Sequence, residues 1–189
     1  MGTDKAFLRL GQESLLDRAL RLAGSITKDV RIVGDPQKFA NFSHSVIEDV
    51  YFQRGPLGGI HAALHKTPSD LNLMLAVDMP FIKPEFLVYL AAQARNGTAV
   101  VTVPNVSRGF QPLCAVYRRK FAELAEESLR TGKNKIDALF TENTTQVITE
   151  EQLIAAGFSA EMFKNLNTPE DLAFANDSSN PESGPGHQL

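Results

Sequence analysis

Asp78 is the residue of this chain whose setting most invites chemistry. Leu73 to Val77 is an unbroken apolar run that ends on it, and Met79-Pro80 follows. Such a run, bounded by a turn signal, predicts a strand buried on both faces of a parallel sheet. A carboxylate at the carboxyl end of such a strand stands on the rim where open α/β sheets bind ligands. Two roles fit it: a hard oxygen ligand for Mg2+, or a cap on the turn or helix that follows. A second candidate is Gln53-Arg-Gly-Pro-Leu-Gly-Gly-Ile60, with three glycines around a proline. Glycines let a backbone come close to a ligand, and a helix N-terminus favours anions. Many glycine loops, however, only turn the chain. His61 and His65 stand four apart on one face of the helix expected next. That spacing suits a metal pair, but no third His, Cys or carboxylate ligand is in register, so a metal site there is disfavoured.

The frame around these residues is that of an ordinary globular protein. The 189 residues are enough for one domain with a sizeable core, or one domain and a tail. Hydrophobic residues make up 43% and charged residues 22%, and the net charge of −3 gives no electrostatic case for nucleic-acid binding. The short basic run Arg118-Arg119-Lys120 reads as a solvated helix start before it reads as a phosphate contact. The single cysteine, Cys114, excludes an internal disulfide framework, which fits a reducing, cytoplasmic setting. Its apolar neighbours favour a buried thiol over a nucleophile. No apolar stretch approaches the about 20 residues of a membrane span, and Asp4, Lys5 and Arg9 interrupt any signal-peptide pattern.

The elements that must position these residues follow from periodicity and punctuation. Ser14 opens a helical pattern through Leu15, Leu16, Ala19, Leu20, Leu22 and Ala23, with Gly24 as its stop. Asp29 to Val33 and Val46-Ile47 read as short strands. Pro84 starts a helix to about Arg95 with Phe86, Leu87, Leu90, Ala91 and Ala94 inward. Strands are expected at Ala99–Val103, closed by Pro104, at Pro112–Tyr117 and at Thr144–Thr149. Asn105 to Phe110 between them is a polar loop. Helices are expected at Phe121–Leu129 and Lys135–Phe140, and a further one at Thr168-Pro-Glu-Asp171. From Asn176 the composition turns polar, so a domain over residues 1–175 and a disordered tail over 176–189 are expected. Strands alternating with helices predict an α/β class with a largely parallel sheet.

Five segments, taken together, resemble the molybdenum cofactor guanylyltransferases. Met1-Gly-Thr-Asp-Lys-Ala resembles the second half of that family's nucleotide signature, Leu-Ala-Gly-Gly-x-Ser-x-Arg-Met-Gly-x-Asp-Lys. Gly55-Pro-Leu-Gly-Gly-Ile resembles its second glycine loop, and Leu75-Ala-Val-Asp-Met-Pro-Phe its metal-bearing strand. Gln111-Pro-Leu-Cys-Ala-Val-Tyr and Asn165-Leu-Asn-Thr-Pro-Glu-Asp-Leu are similar to later segments, in the expected order. The resemblance covers about residues 1–175 and implies a Rossmann-like, GT-A-like three-layer nucleotidyltransferase fold. It implies transfer of GMP from Mg-GTP to molybdopterin with release of pyrophosphate. Lys5 and Asp78 would then be the catalytic residues, with Asp78 the Mg2+ ligand and Lys5 a charge for the phosphates. Gly2, Asp49, Gly58 and Gly59 would join them around the nucleotide, and Asn165 and Asn167 would face the pterin. Partners implied are GTP, the pterin, and possible molybdenum-insertion proteins and molybdoenzymes downstream, in the cytoplasm.

The resemblance is not complete. The chain opens at the Met of Arg-Met-Gly, so the family pattern implies a first strand and a Leu-Ala-Gly-Gly loop ahead of it. That strand would be central, and without it two strand edges and part of the core stand open. The expectation is that Met1 is an internal methionine of a longer chain. Where the family often has Asn or Asp to meet the base, this chain has Val33, with Asp35 nearby. Transfer of another nucleotide, such as CMP to the pterin or a nucleotide to a sugar phosphate, is the alternative activity. A catalytically silent chain that binds ligand is a third reading.

Overall fold

The computed structural model describes residues 4–51, 54–166, 171–173 and 175. Near its start a two-stranded antiparallel hairpin, β1 (Arg9–Leu10) and β2 (Glu13–Ser14), leads into helix α1 (Leu15–Gly24). Ser14 caps that helix, its Oγ accepting from the Asp17 amide at 3.0 Å, as its residue type predicts. Strands β3 (Arg31–Val33) and β4 (Ser45–Ile47) pair in parallel. Helix α2 (Pro56–Lys66), strand β5 (Leu71–Leu75) and helix α3 (Pro84–Asn96) follow. Then come β6 (Val101–Val106), β7 (Gly109–Phe110), β8 (Cys114–Arg118), α4 (Phe121–Arg130), β9 (Thr145–Thr149) and α5 (Glu150–Ala155).

Five of these strands form one sheet in the order β5-β8-β6-β7, with β9 alongside β6. Strand β8 divides the core by its period of two. Cys114 and Val116 pack with Phe86, Leu87 and Leu90 of α3 and with Leu153 of α5. Ala115 and Tyr117 pack on the other face, with Leu57, Ile60 and Leu64 of α2 and Phe121, Ala125 and Leu129 of α4. Helices thus cover both faces, and the three-layer α/β architecture stands as expected.

The ladders differ in direction from the expected parallel sheet. β3–β4 and β6–β9 are parallel, but β5–β8, β6–β8 and β6–β7 are antiparallel. The strand before Asp78 is also not the doubly buried one. β5 ends at Leu75, every one of its residues is only half-buried, and it sits at the end of the sheet order with β8 on one side. The fully covered strand is β8. Its own sequence, Cys-Ala-Val-Tyr, carries a tyrosine whose hydroxyl donates to the Pro112 carbonyl at 2.8 Å.

Three smaller readings are corrected. Pro104 does not end its strand: it keeps register with Ile148 of β9, and on its other side it lies between two ladders. Pairing of β6 with β8 stops at Thr102, pairing with β7 begins at Asn105, and no amide is needed from the proline. Lys135–Phe140 yields only a 3-10 turn, Asp137–Leu139. Arg118 is no solvated helix start: it closes β8 and donates to the Ala94 and Gly97 carbonyls at the end of α3. Helix α5 was not expected, although Thr149 and Gln152 form a complete capping box. The expected helix start at 168–170 and the tail at 176–189 lie outside the described residues.

Phe86 is fully buried and meets Phe158 and Phe163 edge-on, each at 5.4 Å between ring centroids. Phe86→Ala is expected to cost about 3–5 kcal/mol, against about 1 kcal/mol for loss of the Ser14 cap in Ser14→Ala. The midpoints of urea denaturation compare the two.

Candidate functional site

Asp78 and Lys5 meet. Strand β5 is held at its exit by a hydrogen bond from the Ala76 amide to the Leu113 carbonyl, 2.8 Å. The chain then turns, and Asp78 presents its carboxylate to Lys5 Nζ at 2.9 Å. Lys5 comes from a single 3-10 turn, Lys5–Phe7, which Asp4 caps by accepting from the Ala6 amide at 2.8 Å. Ala6 is buried against Leu16, Ile32 and Phe39, so the turn is anchored by an apolar peg. Asp4 is ion-paired with Lys38, whose ammonium also lies over the Phe7 and Phe39 rings. Among the described residues the Asp78 carboxylate serves Lys5 and not a backbone amide, so it is not the cap of the following turn.

The third contributor arrives from the far end of the chain. The Leu166 amide donates to the Asp78 carbonyl at 2.9 Å. That bond sets Asn165 beside the aspartate, and the Asn165 side-chain oxygen is buried with no hydrogen-bond partner among the described residues. A buried acceptor without a donor costs about 1–3 kcal/mol. A fourth residue had no signal in the sequence beyond its helical position. Arg18 of α1 donates from Nε to the Pro80 carbonyl at 2.9 Å and stands 3.9 Å from Glu13, fixing the loop that follows Asp78.

The glycine segment is arranged differently from the expected loop. Pro56 starts α2, so Gly58 and Gly59 lie inside the helix, and only Gly55, at φ +65°, is in the turn. Asp49 follows β4, and its Oδ1 accepts from the Tyr51 amide at 2.9 Å. Its carboxylate presses on Gly58: a Cβ there would lie 2.7 and 2.9 Å from the two oxygens. A Cβ on Gly59 would meet Val33 Cγ1 at 3.3 Å. Both glycines therefore admit protein neighbours, Gly58 a carboxylate and Gly59 a strand. Gly2 and Asn167 lie outside the described residues.

The Lys5–Asp78 pair is electrically balanced and open to water. Lys5 and Asp78 keep 35% and 19% of their side-chain surface exposed, and a pair so open to water is worth at most about 1 kcal/mol. Its rearrangement around a ligand is therefore cheap. No group of three or more His, Cys, Asp or Glu able to hold a metal exists among the described residues. A lone carboxylate suits Mg2+, which keeps its waters and takes its remaining oxygens from phosphates. No described helix is long and apolar enough to cross a membrane.

His61 and His65 do share a helix face, their rings stacked at 5.9 Å. His61 is buried under Tyr51, with its Nδ1 unpartnered among the described residues. Burial holds its pKa below the ordinary histidine value, and His65 adds to this, while Glu126 and Asp49 oppose it. The unfolded chain therefore takes up this proton more readily, and the penalty to the fold sets in as pH falls through about 6.5. The denaturation midpoint is expected to drop between pH 7.5 and 5.5, and His61→Gln to flatten part of that drop. Identical slopes for both proteins would contradict the assignment.

Comparison with known proteins bears on the chain as a whole. A family profile described as "MobA-like NTP transferase domain" matches residues 1–147. A probable molybdenum cofactor guanylyltransferase of Pelotomaculum thermopropionicum is 35% identical over 176 residues, covering 93% of this chain and 85% of that protein. The molybdenum cofactor guanylyltransferase of Desulfosudis oleivorans is 31% identical over 172 residues, covering 90% and 85%. Among solved structures, molybdopterin-guanine dinucleotide biosynthesis protein A of Archaeoglobus fulgidus superposes with a TM-score of 0.81 at 26% identity, covering 94% and 91%.

Proposed function

Because the chain belongs to the MobA-like NTP transferase family, we propose that it transfers GMP from GTP to the phosphate of molybdopterin, with pyrophosphate leaving. The observation that carries this reading is the Lys5–Asp78 pair at the end of β5. A divalent cation, Mg2+ on this reading, would be held by Asp78 and would neutralise charge on the nucleotide phosphates. Its donor is a hard oxygen, and the Lys5 ammonium beside it already marks a place where positive charge is stabilised.

The chain's own residues then divide the remaining work. The new bond forms between the pterin phosphate oxygen and the α-phosphorus of GTP, while the bond to pyrophosphate breaks. Lys5 offers a point charge to the phosphates and leaves Asp78 free for the cation as it does so. Arg18 and the Leu166 amide hold the Asp78 loop still, so that no reorganisation is needed at the moment of transfer. Asn165 supplies an amide oxygen that a pterin N–H satisfies. Asp49, whose carboxylate lies against Gly58, would serve the nucleotide side, and Asn165 the pterin side. Residues 1–175 belong to the catalytic domain, and the product passes to molybdenum-insertion proteins and molybdoenzymes in the cytoplasm.

Asp78→Ala is expected to lower kcat at least about 100-fold, with an unchanged circular dichroism spectrum. Lys5→Ala is expected to cost about 10- to 100-fold in kcat/KM for GTP. In competition, GTP is consumed ahead of CTP. Near-normal turnover by Asp78→Ala, or preference for CTP, contradicts the proposal.

A further inference from the structure

His61 of α2 is a buried titratable group that the transfer chemistry does not use. Only 5% of it is exposed, and its Nδ1 has no hydrogen-bond partner among the described residues. An unpaired buried nitrogen is costly, and an apolar residue would fill the same space without that cost. Its surroundings lead to Asp49. The segment 49–51 touches α2 twice. At Gly58 it lies so close that a Cβ would stand 2.7 and 2.9 Å from the Asp49 oxygens and 3.1 Å from the Tyr51 carbonyl oxygen. One turn further along the same helix face, His61 receives the Tyr51 ring edge-on, with 5.2 Å between ring centroids. Within the segment the Tyr51 amide donates to Asp49 Oδ1 at 2.9 Å. The seat of the Tyr51 ring and the orientation of the Asp49 carboxylate are therefore set together.

We propose that His61 is a positioning residue of the nucleotide side: its neutral ring seats Tyr51, and Tyr51 fixes the Asp49 carboxylate for its contact with GTP. The inference rests on the reading that Asp49 serves the nucleotide. The charged and titratable groups around the ring are Asp49 and Tyr51 from the segment after β4, His65 stacked on it from α2, and Glu126 from α4. A second proton makes both ring nitrogens donors. The new charge then attracts the Asp49 and Glu126 carboxylates, and Asp49 turns away from the nucleotide. Burial keeps the ring neutral until pH falls below about 6.5. The GTP contact is thus intact at neutral pH and is lost on the acid side.

The test uses the 189-residue chain. The Tyr51 amide resonance in two-dimensional NMR spectra reports the orientation of Asp49 without nucleotide. It is expected to move as pH falls from 7.5 to 5.5, and to stay in place in His61→Gln. Calorimetric titration with Mg-GTP gives the second readout. Over the same range Kd is expected to rise about fivefold or more further in the unaltered chain than in His61→Gln, a ratio in which the titration of GTP itself cancels. In an Asp49→Asn background, His61→Gln is expected to change nothing further. Tyr51→Ala cuts the same path at a half-buried position. It is expected to loosen Mg-GTP about fivefold at pH 7.5, and Tyr51→Phe, which keeps the ring, to restore the affinity. The same pH dependence of Kd with and without His61, or full affinity in Tyr51→Ala, overturns the proposal. A His61 effect that survives in Asp49→Asn overturns the route through Asp49. A Tyr51 amide that titrates through His61 in a chain that binds no Mg-GTP at any pH contradicts guanylyl transfer, while the coupling of His61 to Asp49 stands.

Discussion

The contact between Lys5 and Asp78 is the constraint on which the site depends, because three separate parts of the chain have to agree before it can form. Lys5 must be on a turn, and the turn stays in place because Ala6 is buried among Leu16, Ile32 and Phe39. Asp78 must leave β5 at the right point, and the Ala76–Leu113 hydrogen bond fixes where it leaves. The loop beyond must not drift, and Arg18 and the Leu166 amide hold its carbonyls. The pair itself contributes little to stability in its half-exposed setting. Its rigidity is supplied by the fold, and its weakness makes it easy to rearrange.

Much of this was legible in the residues. Ser14 and Pro84 start their helices where their chemistry demands, and the carboxylate after an apolar run pointed to the exit of β5. The resemblance of the Met1–Ala6 and Asn-Leu-Asn segments to one nucleotidyltransferase family implied roles for Lys5 and Asn165 that their residue types alone could not. What was not legible is mostly non-local. An apolar run cannot report how many neighbours its strand has, so Leu73–Val77 read as doubly covered although β5 lies beside a cleft. Gly58 looked like a ligand-facing glycine, but the atoms that come close are those of Asp49. Pro104 looked like a stop, and only the offset of two ladders shows why it is not.

The scaffold and the site are coupled through the same few apolar residues. Ile32 and Val77 face both the cleft and the Lys5 turn, so the packing of the sheet bears directly on the reacting end. By contrast, the β8 region is closed on both faces and carries groups that do no chemistry. Burial raises the pKa of the Cys114 thiol and the Tyr117 hydroxyl, with Asp137 adding to the effect on Tyr117. Both stay protonated and inert. Stability resides in the α3–β8–α2/α4 stack, and reactivity at its margin, where β5 ends.

The central claim is that Asp78 would hold a divalent cation beside the nucleotide phosphates that Lys5 would contact. Its most direct test is an electron paramagnetic resonance titration of Mn2+, as a reporter for Mg2+, with and without GTP. The account predicts that GTP tightens Mn2+ binding to the unaltered protein and that Asp78→Asn weakens it about tenfold or more. Lys5→Ala should leave Mn2+ binding alone intact while loosening GTP. Mn2+ held as tightly by Asp78→Asn as by the unaltered chain would contradict it.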